Sequence, residues 1–195
     1  MFKKLLATAT AAALTMGGSV QADTRVTTRL DAGHQQLWDT LVEYGVEAHV
    51  NPGPVCNDPD SPYMGVYFYA ESAGIPVLGI CQDNRFAYNE AEVPWTANDL
   101  DTLRHEAIHY IQDCVDGEVS MTLDPLHDGN GPGPGTFTYG GVVEALGVER
   151  AEMIANGYAD KGARVIRLEH EAFLSAAVLP PEDIVTLIKY TCSAK

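Results

Sequence analysis

Apolar residues recur at helical spacing at Leu37, Trp38, Leu41 and Tyr44, so residues 31–44 are predicted to form a helix with Gly45 as its C-terminal cap. The period then shortens. Val46 to Val50 alternates apolar and polar and predicts a strand, followed by the turn-rich Asn51-Pro52-Gly53-Pro54. Val66 to Tyr69 and Ile75 to Cys81 are β-rich runs separated by Glu71-Ser72-Ala73-Gly74, the pattern of a hairpin. Helical spacing returns at Thr96-Ala97-Asn98-Asp99, where Thr96 suits an N-cap and Asp99 supplies a near-relative of the capping box. This helix is expected to reach Cys114 or Val115 and stop near Gly117, with Leu100, Leu103, Ala107, Ile111 and Cys114 on one side. Residues 124–141 form a Gly- and Pro-rich loop. Three helical segments follow at 142–158, 163–179 and 182–192, with Pro180-Pro181 ending the second and opening the third. The expected fold class is α+β: a small sheet, a central helix and a helical C-terminal half.

Composition changes this picture at the N-terminus. Lys3 and Lys4, the apolar stretch Leu5 to Met16, and Val20-Gln21-Ala22 together have the form of a secretory signal peptide over residues 1–22, cut before Asp23. Residues 23–195 then make one expected domain. The apolar run is too short for a membrane span, and no cysteine follows the cut to carry a lipid anchor. The formal net charge of −15 argues against nucleic acid or anionic lipid as partner. Four cysteines in an exported chain, none in a CxxC pair, favour disulfides over a Cys-based zinc site. The pairings expected are Cys56–Cys81 and Cys114–Cys192. The localisation expected is periplasmic or extracellular.

The candidate chemistry lies at residues 105–109, His-Glu-Ala-Ile-His. Histidines four apart share one side of a helix, so both imidazoles can reach one Zn2+ ion. Glu106 sits beside them, placed to take a proton from a metal-bound water rather than to bind the metal. His105 and His109 fall almost opposite the apolar stripe, pointing into a cleft or solvent. A catalytic zinc needs a third protein ligand and an open position. Gln112 and Val115 stand where the HExxHxxGxxH extension needs Gly and His, so that version is excluded. A glutamate on a later helix is the usual alternative. Glu169 lies within the stripe of Val165, Leu168, Ala172, Ala176 and Leu179, where an ionised carboxylate is costly unless paired or bound to a cation. The plainer account of Glu169 is a salt bridge to Arg104 or Arg164. Glu149, at the edge of a Val142/Leu146/Met153 stripe, is the second choice; Glu171 falls on the far side of its helix, and Glu144 and Glu152 look solvated.

The segment Leu103-Arg104-His105-Glu106-Ala107-Ile108-His109, followed by Glu169-His170-Glu171-Ala172-Phe173, resembles the gluzincin arrangement of zinc metallopeptidases. The second segment is similar to the ExxA(D/N) pattern of several gluzincin families. The resemblance implies a zincin-like fold, metal-ligand roles for His105, His109 and Glu169, and a general-base role for Glu106. The chain departs from the pattern at Phe173, where Asp or Asn is usual and could hydrogen-bond a ligand histidine. The function expected is therefore an exported zinc-dependent hydrolase acting on a peptide or protein substrate. Tyr139, Tyr158 and His170 are candidates to stabilise an oxyanion, whereas Tyr110 points elsewhere. A competing expectation is a non-catalytic zinc-binding or partner-binding domain, in which His127 or His170 would close the fourth position. A third is an interaction protein with no metal.

Overall fold

The computed structural model describes residues 30–57, 64–87, 93–117, 119–120, 122–126 and 139–192. The expected signal peptide, and residues 127–138 of the Gly- and Pro-rich loop, lie outside the described residues.

Asp31 caps the first helix, α1 (Ala32–Glu43), by accepting the His34 backbone N–H at 3.0 Å. This helix buries Leu37, Trp38 and Leu41. Strand β1 (Glu47–Val50) follows, and then one helical turn, α2 (Gly53–Cys56), where the sequence pattern indicated a turn. Strands β2 (Gly65–Ala70) and β3 (Ile75–Ile80) form the expected hairpin. The sheet order is β1-β3-β2, with β1 parallel and β2 antiparallel to β3. The central strand is the most apolar, and its Leu78 and Ile80 are fully buried. Strand β2 lies at an edge.

The central helix α3 (Ala97–Asp113) starts on a complete capping box. Thr96 accepts the Asp99 N–H at 3.1 Å, and Asp99 accepts the Thr96 N–H at 2.8 Å. Leu103, Ala107, Ile111 and Cys114 join α1, β3 and the last helix in the main core, as the apolar stripe predicted. The opposite face is not open. Every residue from His105 to Cys114 is buried, because a later helix covers the side that carries the histidines. The helix therefore holds His, Glu, Gln and Asp side chains away from water, and each must find partners inside the protein.

The C-terminal half comprises α4 (Tyr139–Leu146), α5 (Val148–Gly157), α6 (Ala163–Val178) and α7 (Pro181–Thr191). The single helix expected over 142–158 is two, broken at Gly147, whose φ of 85° no helix accommodates. The break resets the helical phase, so Val142 packs with Ala151 and Ile154 rather than with Met153, which is 48% exposed. Helix α6 lies antiparallel along α3: Gln112 meets Leu168 and Glu171, whereas Arg104 meets Ala176. Disulfides join Cys56 to Cys81 and Cys114 to Cys192, as expected, which is consistent with an oxidising, exported environment. Among the described residues, no helix is long and apolar enough to cross a membrane.

Candidate metal centre

The antiparallel packing of α3 and α6 brings His105, His109 and Glu169 together, with one potential ligand atom from each within 4.8 Å of the others. The two Nε2 atoms are 3.0 Å apart. Glu169 Oε2 is 3.3 Å from His105 Nε2, and Oε1 is 3.6 Å from His109 Nε2. All three side chains are largely buried. Burial alone would raise Glu169, but the neighbouring imidazoles hold its carboxyl far below the usual carboxylate range. Burial would likewise lower His109, yet the Glu169 carboxylate lifts it to about 9. Glu169 Oε2 is buried without a hydrogen-bond donor among the described residues. Two imidazole nitrogens and a carboxylate oxygen turned toward one point suit Zn2+ better than an oxygen-seeking ion such as Ca2+. The donor set fits a metal.

Neither Arg104 nor Arg164 partners Glu169, whose ion pairs are with the two imidazoles. Arg104 pairs with Asp101 at 3.1 Å and donates to the Ala176 carbonyl, and Arg164 pairs with Asp124 at 2.6 Å. Glu149 is exposed and is not in the cluster, since the phase reset at Gly147 turns it to solvent. Glu171, on the far side of its helix from the apolar stripe, is completely buried, because that flank of α6 is covered too.

Glu171 nevertheless contributes, through Gln112. Its Oε2 accepts the Leu126 N–H and one amide hydrogen of Gln112, both at 2.8 Å. The other Gln112 amide hydrogen goes to the Leu168 carbonyl at 3.1 Å. With both N–H groups assigned, Gln112 Oε1 must accept at 2.7 Å from His109 Nδ1. The proton on Nδ1 leaves Nε2 as the ring's metal-binding atom. Gln112 entered the sequence reading only as the residue that broke an extended motif. A buried amide four-fifths of a helical turn beyond a ligand histidine was the available signal.

His105 is held differently. Its Nδ1 is buried with no hydrogen-bond partner among the described residues, and the Phe173 ring packs 4.3 Å from its own. The departure from the gluzincin pattern at Phe173 thus has a physical counterpart: a tilted aromatic ring packs on the imidazole in place of a hydrogen-bonding side chain.

Glu106 is buried beside the cluster, and burial pushes its carboxyl up, only partly offset by the two imidazoles. Strand β2 comes directly onto it. A Cβ on Gly65 would fall 2.5 Å from Glu106 Oε1 and 2.6 Å from Thr102 Cγ2, so the absence of a side chain there makes room for the carboxylate.

Of the oxyanion candidates, His170 is buried next to Glu169, and burial holds its imidazole below the ordinary value. Tyr158 packs with Val142 and Ile154 in the second core. Tyr139 opens α4. Tyr110 donates to the Tyr44 carbonyl at 3.1 Å, away from the cluster as expected. His127 lies outside the described residues. No protein-family model matches the chain, and no curated protein or solved structure matches it.

Proposed function

We propose that the protein is an exported zinc-dependent peptidase. The observation that carries this reading is the convergence of His105, His109 and Glu169 with a buried glutamate, Glu106, on the same helix turn. Zn2+ held by those three residues would lower the pKa of its water toward neutrality and polarise the substrate carbonyl. Glu106, with its carboxyl raised by burial, would take the proton from the attacking water and deliver it to the leaving amine. Gln112 and Glu171 hold His109 in the tautomer the metal requires. Strand β2, at an edge of the sheet among the described residues and with Gly65 abutting Glu106, would take up an extended peptide as an added strand.

The test is zinc content together with cleavage of a broad peptide library, with and without chelator. Glu106→Gln is expected to keep zinc and lose at least about 100-fold in hydrolysis. Unchanged hydrolysis in that variant overturns the mechanism. The deep burial of the ligands favours a second reading, in which zinc only staples α3 to α6. Bound zinc with no cleavage of any library member supports that reading instead.

A further inference from the structure

A cavity of about 280 Å³ is lined by Asn98, Asp101, Leu146, Arg150, Phe173 and Ala177. Asn98, Asp101 and His105 share one face of α3, and Glu169, Phe173 and Ala177 share one face of α6. The cavity therefore lies beside the metal cluster, toward the N-terminal end of α3. A single ring separates the two: Phe173 packs on His105 at 4.3 Å and carries the Arg150 guanidinium over its face at 5.0 Å.

The two charged side chains that line the cavity, Asp101 and Arg150, face each other at 3.9 Å, beyond hydrogen-bonding distance. Arg104 and Arg150 share one carboxylate, that of Asp101, at 3.1 and 3.9 Å. Arg104 has further partners in the Ala176 carbonyl and His34 Nε2. Arg150 has none, so among the described residues its N–H groups find no hydrogen-bond acceptor. The guanidinium is nonetheless held in place by the aromatic face beneath it. The Arg150 side chain is 39% exposed, so an oriented arginine turns its donors to a solvent-accessible cavity in a chain of net charge −15.

Resting on the peptidase reading, we infer that this cavity binds a carboxylate of the substrate through Arg150, next to the scissile bond on the His105 side. A carboxylate matches the guanidinium fork in a two-point contact at hydrogen-bonding distance, which Asp101 at 3.9 Å does not make. It comes either from the end of a peptide or from an acidic side chain, and the two sources are separable.

The experiment measures binding to zinc-loaded Glu106→Gln protein, so that the readout does not depend on turnover. The probes are acetyl-trialanine with a free or an amidated C-terminus, and acetyl-Ala-Glu-Ala-amide against its Gln counterpart. One carboxylate probe is expected to bind about tenfold more tightly than its neutral partner. Which pair shows the difference identifies the source. Arg150→Gln should bring that pair to parity and Arg150→Lys should keep part of the preference, with zinc content unchanged in both. Equal binding of charged and neutral probes, no binding of any probe, or a preference that survives Arg150→Gln overturns the inference. The peptidase reading fails separately: a carboxylate preference without hydrolysis by the wild-type protein supports the pocket and rejects the enzyme. Hydrolysis with no carboxylate preference does the reverse.

Discussion

His109 and His105 lie one turn apart on the same helix, yet their second ring nitrogens meet opposite surroundings. Behind His109 a chain of hydrogen bonds runs through Gln112 to Glu171 and the Leu126 N–H, and every link has its donor and acceptor fixed. Behind His105 there is an aromatic ring and then a cavity. The difference separates two ways of aiming a ligand. One fixes the protonation state of the ring as well as its direction; the other fixes direction alone, by packing. On this view His109 anchors the metal, while the His105 side is the half of the site that faces substrate.

Removing the residue common to both halves has the largest expected effect. Glu169→Ala should weaken zinc binding more than about 100-fold, beyond the loss an outer partner causes, as read by competition with a chelator. Undiminished zinc content would dissolve the comparison, since neither histidine would then belong to a three-ligand site. Next comes pH. With His109 raised to about 9 by Glu169, an entering metal must displace its proton at neutral pH. The proton is held below that value and lost above it, so zinc affinity should climb about tenfold per pH unit from neutrality and level off near pH 9. A flat profile would reject the assignment of that proton to the pair.

The relay itself ranks third. Gln112→Leu is expected to weaken zinc binding by about 10–100-fold. It should also cost about 2 kcal/mol of stability in thermal unfolding, because Glu171 loses a partner inside the protein. The smallest change sharpens the contrast from the other side. Phe173→Asn offers His105 Nδ1 the acceptor it lacks, so zinc affinity should hold or rise by up to about tenfold. Stability should fall by about 2 kcal/mol from lost packing. A drop in affinity would mean that the ring aims His105 better than a hydrogen bond does.

Much of this was legible in the chain because it is local. The His105–His109 spacing, the Thr96–Asp99 cap and the hairpin turn each depend on residues within a few positions of one another. Glu169 could be read because an acid within an apolar stripe needs a reason. Glu171 could not. Two residues along α6 from Glu169 it projects to another flank, and periodicity cannot say that this flank is also covered. The same limit applies to α3, whose polar side looked open and is enclosed. Gln112 carries no charge, so nothing about its burial looked anomalous until its partners were known. At Gly147 a run of helix formers concealed a left-handed residue, and the stripe drawn across it placed Met153 inside and Glu149 at its edge.

The bond between Cys114 and Cys192 spans 78 residues and closes a covalent ring that contains α4, α5, α6 and α7. His109 sits just outside that ring, one helical turn before its clasp, and Glu169 is carried within it. In the oxidised but unfolded chain, the third ligand therefore searches a small volume around the first two. Its effective concentration there is higher than in a linear polymer, and closing the loop in advance is worth about 4 kcal/mol in the entropic account. Should the cluster take up a metal, oxidation of this pair would favour its capture, because the third ligand is then already tethered near the first two.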